Sequence, residues 1–133
     1  MEVIEVDNLT VFIAAAVYMI IGFIWYTPLL FGKRWMKANQ IKESEKPKNI
    51  FPKIVVNFIN SLVIAFFLAL LLAFLGSTST TDGIYAAVGA WFGFVVTTQL
   101  PLYIWSNKDW VGYFIDIGYY FVGFASMGAI LGA

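Results

Sequence analysis

The chain alternates between long stretches without charge and short stretches that hold nearly all of its charged residues. Apart from Asp116, four windows carry no charged side chain: residues 8–32, 54–81, 83–107 and 110–133. A helix needs roughly 20 residues to cross about 30 Å of hydrocarbon. The windows lack the alternation of a barrel strand, and a helix satisfies its own backbone hydrogen bonds in lipid. The pattern predicts membrane-spanning helices near residues 9–30, 54–75, 84–104 and 111–131.

Composition supports this interpretation. The chain has 133 residues, of which 61% are hydrophobic and 12% are charged, and its mean hydropathy is +0.82. A soluble domain usually has about a quarter charged residues, so this chain has too little charge to cover a soluble surface. We therefore expect an all-α, integral membrane four-helix bundle that forms a single transmembrane domain over residues 1–133.

The distribution of the basic residues predicts the orientation in the membrane. Seven of the eight lie within residues 31–53, between the first two helices, and the eighth is Lys108, between the last two. The positive-inside rule makes both loops cytoplasmic, which places the N- and C-termini outside. The N-terminal segment has acidic residues and no cation, unlike a signal peptide, so we expect the first helix to be retained in a multi-pass protein of the cell membrane.

The basic cytoplasmic loop, residues 31–53, has two interpretations. Its first turns place three apolar residues at helical spacing and three cations on other faces: Phe31, Trp35 and Ala38, and Lys33, Arg34 and Lys37. One interpretation is an interfacial turn of helix whose cations contact anionic lipid of the bilayer. The other is a topology signal followed by a solvated linker.

The polar side chains within the predicted helices fall at one depth. Asp116 lies about six residues into the fourth helix, roughly 9 Å below its cytoplasmic start at 1.5 Å per residue. Residues of the other three helices are expected at the same depth: Trp25, Tyr26, Thr27, Asn57, Asn60, Ser61, Thr97, Thr98 and Gln99. The outer halves of the helices contain almost nothing polar. The sequence therefore predicts a polar layer near the cytoplasmic side.

Helical spacing also predicts which of these residues face one another. Two helix faces each carry a polar cluster: Asp116, Tyr119 and Tyr120 on the fourth helix, and Asn57, Asn60 and Ser61 on the second. Polar groups in hydrocarbon turn toward the protein interior. We expect Asp116 to form hydrogen bonds with Asn57 or Asn60. A tyrosine hydroxyl and Gln99 are further expected partners.

Asp116 itself has three interpretations. An ionisable residue inside a membrane is a functional-site hypothesis by default. It can instead be a structural clasp held by hydrogen bonds, or an acid close enough to the interface to be wetted by headgroup water.

Prolines and glycines predict local shape. Pro28 and Pro101 should bend the first and third helices, because proline has no N–H to donate to the carbonyl four residues earlier. Two GxxxG patterns predict close helix contacts, either within the bundle or at a dimer seam: Gly89 and Gly93, and Gly128 and Gly132. A bundle of four helices has little interior volume, which favours a homo-oligomer.

Two segments resemble a known family. These are "GFIWYTPLLFGKRW", residues 22–35, and "IDIGYYFVGFASMGAILGA", residues 115–133. They are similar to a family of small prokaryotic integral membrane proteins classed as a domain of unknown function. The resemblance implies four helices, with Trp25, Tyr26 and Pro28 in one recurrent segment and Gly128 to Gly132 in another. It implies no activity.

The residue inventory limits the function. The chain has no cysteine and no histidine, so we expect no metal site or cofactor built on these side chains and no thiolate nucleophile. The single intramembrane acid lacks a second acid for general acid–base work, so we expect no enzyme, and no motif for nucleic acid is present. The leading hypothesis is a transporter-like or channel-like protein in which Asp116 is a protonatable or cation-binding centre. The alternative is an accessory or structural membrane protein that binds lipid or a partner protein through its aromatic and glycine faces.

Overall fold

A computed structural model describes residues 6–42, 44 and 49–133 of the chain. The helices in this part of the chain are α1 (Asn8–Trp25), α2 (Gly32–Ala38), α3 (Phe51–Phe74), α4 (Thr80–Ala90), α5 (Thr97–Ile104) and α6 (Trp110–Gly132). A π-helical segment, Trp91–Val96, joins α4 to α5, so that Thr80–Ile104 is one continuous helical stretch, called the third span here. The described residues contain no strand.

Four of these stretches are long and apolar enough to cross a membrane: α1, α3, the third span and α6. The predicted all-α bundle of four membrane-length helices is therefore confirmed. At one end of the bundle α1 and α5 terminate and α3 and α6 begin. This end is called the basic end, because the described cations lie there: Lys33, Arg34, Lys37, Lys42, Lys53 and Lys108.

Side-chain caps explain where three of the helices begin. Asp7 accepts a hydrogen bond from the Leu9 N–H at 3.1 Å, and Asp109 accepts one from the Val111 N–H at the same distance. Ser79 accepts from the Asp82 N–H, which starts α4 four residues before the predicted 84. Asp82 thus lies in the first helical turn, where the helix dipole favours an acid, rather than outside the helix.

The first helix ends at Trp25, five residues before the predicted boundary of 30. Pro28 cannot donate a backbone hydrogen bond and disfavours helical geometry at Thr27. The chain turns instead, with the Phe31 N–H bonded to the Trp25 carbonyl at 3.1 Å and the Gly32 N–H to the Thr27 carbonyl at 3.0 Å. The expected bend within the helix at Pro28 is therefore wrong, and Pro28 lies in a turn that leads into α2.

The third span is irregular ahead of its proline. Pro101 lies inside α5, and the wider π-helical turns before it run from Trp91 to Val96. Because proline has no backbone N–H, the carbonyl of Thr97, four residues before Pro101, has no helical donor at that position. The Thr97 hydroxyl donates to the Gly93 carbonyl at 2.7 Å, and the Thr98 hydroxyl donates to the Phe94 carbonyl. Single π-helical turns are frequent at functional sites.

Helix α6 packs between α1 and α4, and α3 packs against α1 and, to a smaller extent, α6, with little contact to the third span. The contact between α6 and α4 depends on glycine. A Cβ at Gly128 would lie 2.4 Å from the Gly83 carbonyl oxygen, and one at Gly132 would lie 2.6 Å from the Ser79 carbonyl oxygen. Gly83, which the GxxxG patterns did not include, therefore completes this glycine seam.

Gly89 and Gly93 take no part in the glycine seam. A Cβ at either position would have no heavy atom within 4 Å. Gly89 follows Gly83 by six residues, which is about 240° around a helix of 3.6 residues per turn, so it lies on another face. Of the two alternatives for the GxxxG patterns, the close contact within the bundle is not found at Gly89 and Gly93, and a seam with another helix stays a prediction.

Candidate functional site

Asp116 is held by two tyrosine hydroxyls from two other elements. Tyr26, at the end of α1, donates to Oδ1 at 2.5 Å, and Tyr103, in α5, donates to Oδ2 at 2.9 Å. Asn39, which follows α2, donates from Nδ2 to the Tyr103 hydroxyl at 3.3 Å. These four residues are called the Asp116 network. It joins α6 to α1, α2 and α5 at the basic end.

The backbone beside Asp116 is also held from two sides. The Trp25 indole N–H donates to the Ile115 carbonyl at 3.0 Å, and the Trp91 indole N–H donates to the Ile117 carbonyl at 2.8 Å. Trp91 lies at the start of the π-helical segment, so this irregular segment and α1 both contact the turn of α6 that carries the acid. The position of Asp116 is thus fixed by hydrogen bonds from both neighbouring spans.

The expected amide partners of Asp116 are elsewhere. No hydrogen bond between described residues joins Asp116 to Asn57, Asn60 or Gln99. Tyr103 lies four residues beyond Gln99, one helical turn closer to the basic end, and its longer side chain reaches the acid. Helical spacing shows which residues share a face, but not how far two helices are rotated or shifted against each other.

The amides line a cavity of about 640 Å³ formed by all four spans. Its lining includes these side chains with polar groups: Tyr18, Tyr26, Asn57, Asn60, Thr98, Gln99 and Tyr120. Tyr119 also lines the cavity, and its hydroxyl donates to the Tyr18 carbonyl at 3.2 Å. Most of the residues of the predicted polar layer are thus brought together around one space. Tyr26 belongs to both this cavity and the Asp116 network.

The cavity lining changes character along the helix axes. On α3, Asn57 and Asn60 lie nearer the basic end than Ile64 does, and on α6 Tyr120 lies nearer to it than Phe124 does. On α3 and α6 the lining is therefore hydrogen-bonding toward the basic end and apolar toward the middle of the bundle, whereas on α1 Tyr18 lies nearer the middle than Phe23 does. No charged side chain among the described residues contributes to it.

The cavity is open on the side between α3 and the third span, where the two stretches make few contacts. Asn57, Asn60 and Thr98 are exposed in the chain taken alone. A second hollow of about 440 Å³ begins at Asn57 and Asn60 and continues over α3 to Lys53 at the basic end. This opening places amide groups at the outer surface of the bundle.

Ser61 has a different environment from the rest of its predicted cluster. It is fully buried, and its hydroxyl donates to the Asn57 carbonyl of its own helix at 2.9 Å. It does not line the cavity. A serine that bonds back to the preceding turn needs no partner on another helix, which is why its spacing alone was misleading.

Four residues of the site were not predicted as site residues: Trp25, Asn39, Trp91 and Tyr103. Tyr103 shares a helix face with Gln99, and this was a usable signal. The two tryptophans gave a weaker signal: an indole N–H usually has a hydrogen-bond acceptor when it is buried, but the sequence does not show which one. Asn39 lies after α2 in a loop, where the sequence pattern gives no position relative to the bundle.

Comparisons with known proteins give a family and no activity. No curated protein and no solved structure matches the chain. A family model described as "Protein of unknown function (DUF1761)" matches residues 9–132, so the chain belongs to this family.

Proposed function

We propose that the protein is transporter-like: it binds a small molecule in the cavity, and the Asp116 network is a protonatable gate at the basic end. The observation that carries this proposal is the coincidence of the two features. Asp116 is the only acid inside the four spans beyond their first turns, since Asp82 lies in the first turn of the third span, and Asp116 lies beside a cavity that all four spans line. Ionisable residues at such depth usually serve proton or ion pathways.

Tyr26 gives the acid a direct route to the cavity. Both oxygens of Asp116 accept hydrogen bonds from tyrosine hydroxyls, which suits a carboxylate. When the acid is protonated, one of its oxygens becomes a donor and can no longer accept in the same way. The tyrosine bonded to that oxygen must then reverse its hydrogen bond and accept, or turn away. If Tyr26 turns away, a cavity wall moves.

The two ends of the bundle differ in packing, as expected for a cavity that opens toward one side of the membrane. The glycine seam holds α4 and α6 in close contact near the opposite end, where a Cβ at Gly128 would meet the Gly83 carbonyl. The basic end carries the cavity, the turn at Pro28 and the Asp116 network. A transporter in one of its two access states has this asymmetry.

The test is a pair of measurements on Asp116→Asn in lipid nanodiscs. Asparagine still accepts and donates hydrogen bonds but does not ionise. We expect the melting temperature to be kept and the tryptophan fluorescence to titrate with pH in the wild type only, because Trp25 contacts the backbone beside the acid. Asp109→Asn, a change at the solvent-exposed cap of α6, is the matched control and should titrate like the wild type.

A fluorescence signal that is independent of pH in the wild type would contradict the gate. A titration that survives in Asp116→Asn would do so as well, because it would belong to another group. Lys108 is a charge beside the network, with its Nζ 5.8 Å from the centre of the Tyr103 ring. Lys108→Gln identifies that contribution.

An accessory membrane protein is the second candidate, and a separate observation favours it. Gly89 and Gly93 have open space where a Cβ would be, and Phe92 and Phe94 beside them are 65% and 70% exposed. This face of the third span suits close approach of another helix. In this case Gly93→Leu would disturb the cellular role of the protein, whereas Asp116→Asn would not.

A further inference from the structure

We propose that the ligand of the cavity is an amphiphile with an uncharged, hydrogen-bonding head group, which enters from the bilayer between α3 and the third span. The inference rests on the proposed function, because it assigns a ligand class and an entry route to the same cavity. Four properties of the cavity carry it: its polar groups, its lack of charge, its lateral opening and its size.

The polar groups are suited to hydroxyls. The side chains of Asn57, Asn60 and Gln99 line the cavity and form no hydrogen bond with other described residues. Each amide offers an acceptor oxygen and two N–H donors. A glycerol or sugar head group also presents donors and acceptors together, so it can pair with several of these amides at once.

The absence of charge in the lining selects against an ionised head group. No described charged residue lines the cavity, and both oxygens of Asp116 already accept from tyrosines. An ionised group would lose its hydration without gaining a counter-charge, which is costly in a low-dielectric site. Lys53 lines the outer hollow rather than the cavity.

The lateral opening requires an occupant with a polar and an apolar part. Asn57, Asn60 and Thr98 are exposed beside the gap between α3 and the third span. Polar groups that face hydrocarbon without partners are unfavourable. A head group between these helices would satisfy them, while its chain would contact Ile64 and Phe124 and continue into the bilayer.

The size of the cavity fits a head group and the first part of a chain. Ligand sites for small molecules usually measure about 300–1,000 Å³, and this cavity has about 640 Å³. A complete two-chain lipid exceeds this volume, so its tails would have to remain outside. A single-chain amphiphile matches both the enclosed volume and the open side.

The experiment follows the melting temperature of the protein in phosphatidylcholine nanodiscs with three probes. These are 1-oleoylglycerol, glycerol without a chain, and oleyl phosphate as the charged counterpart. We expect 1-oleoylglycerol to raise the melting temperature of the wild type, with glycerol and oleyl phosphate giving little change. Asn60→Leu is a change of similar shape without hydrogen-bonding groups. It should raise the concentration of 1-oleoylglycerol needed for half of this effect about tenfold.

A matched pair of threonines provides the control. Thr97 and Thr98 are both exposed and both bond to the carbonyl four residues earlier, but only Thr98 lines the cavity. We expect Thr98→Val to weaken the response to 1-oleoylglycerol and Thr97→Val to leave it unchanged. Equal effects of the two changes would overturn the assignment of this site.

Three other results would also overturn the inference. An equal response to glycerol alone would show that the chain is not recognised, and it would leave the proposed function intact. A response to oleyl phosphate that depends on Lys53 and not on Asn60 would place a charged head group in the outer hollow. Cross-linking of Asn60→Cys between two copies would show that a second subunit fills the gap. Conversely, 1-oleoylglycerol could raise the melting temperature of the wild type while its tryptophan fluorescence does not change with pH. That result would overturn only the gate.

Discussion

At the scale of single residues, Asp116 is stabilised inside the bundle by neutral donors rather than by a cation. Two tyrosine hydroxyls from α1 and α5 satisfy its two oxygens. Asp116 is half-buried, and an acid in such a place that loses one of its donors keeps part of the cost of desolvation without the compensating bond. The two tyrosines therefore contribute to the stability of the fold as well as to the proposed gate.

We expect Tyr103→Phe to lower the free energy of unfolding by about 1–3 kcal/mol, the contribution of a hydrogen bond to a charged group. The ring remains, so its contacts with Trp110 and Tyr113 are kept. Tyr85→Phe is the control, because Tyr85 is 76% exposed on α4. Equilibrium unfolding in detergent compares the two variants. An equal stability of both would mean that the Tyr103 hydroxyl contributes nothing to holding Asp116.

The sequence identified the acid, much of the cavity and a tyrosine hydroxyl as a partner of the acid, and it failed at the expected amide partners. Asp116 stands out because it is the only charge in its window, and Asn57, Asn60 and Gln99 were placed at its depth by counting residues. Its partner Tyr103 was missed because contact between two helices depends on their relative rotation. Periodicity within one helix does not contain that information.

At the scale of elements, two glycine surfaces should respond differently to an added side chain. These are the glycine seam between α4 and α6, and the face of the third span that carries Gly89 and Gly93. A side chain at Gly128 would meet the Gly83 carbonyl and the Ala87 Cβ within 2.6 Å. We expect Gly128→Leu to destabilise the bundle by about 1–3 kcal/mol or to separate the helices, because overpacking forces the backbone apart. Gly93→Leu should leave the melting temperature unchanged, unless this face binds a partner.

Helix α2 is the element for which a lipid partner is proposed. Gly32 and Ala38 are buried toward the bundle, and the Ala38 carbonyl accepts from the Asp109 N–H at 3.1 Å. The three cations of the helix are all exposed: Lys33, Arg34 and Lys37. This arrangement suits an interfacial helix whose cations contact anionic headgroups, each contributing about 1 kcal/mol.

We expect phosphatidylglycerol in the nanodisc to stabilise the wild type relative to phosphatidylcholine alone. Replacing Lys33, Arg34 and Lys37 together by glutamine should remove most of this difference. High salt should reduce it as well, because it screens exposed charge. Lys108→Gln, at the same end of the bundle, is the control. A stabilisation that persists in the triple variant would contradict the lipid contact.

Helix boundaries show a second limit of prediction from the sequence. The first helix was extended to residue 30 because its window holds no charge, yet the turn at Pro28 ends it at Trp25. The π-helical segment Trp91–Val96 was not predicted, because its residues are ordinary apolar helix formers. Hydropathy detects which segments suit lipid. It does not detect how the backbone hydrogen bonds shift inside them.

At the scale of the whole molecule, the distribution of charge predicts the orientation in the membrane. The chain has no cysteine, so single cysteines can be introduced without background. We expect Lys42→Cys and Thr78→Cys to be labelled by a membrane-impermeant thiol reagent from opposite sides, with Lys42→Cys labelled from the cytoplasm. Labelling of both positions from one side would contradict the four-span topology.

The most direct test of the central claim is whether water reaches the cavity within the membrane. Four single cysteines form two matched pairs: Asn60→Cys and Thr98→Cys line the cavity, and Ile59→Cys and Thr97→Cys are their neighbours outside it. Only a thiol in contact with water ionises and reacts with a charged methanethiosulfonate reagent. We predict modification of Asn60→Cys and Thr98→Cys from the basic side, and none of their neighbours. Equal modification within each pair, or none at all four positions, would contradict a polar cavity in this bundle.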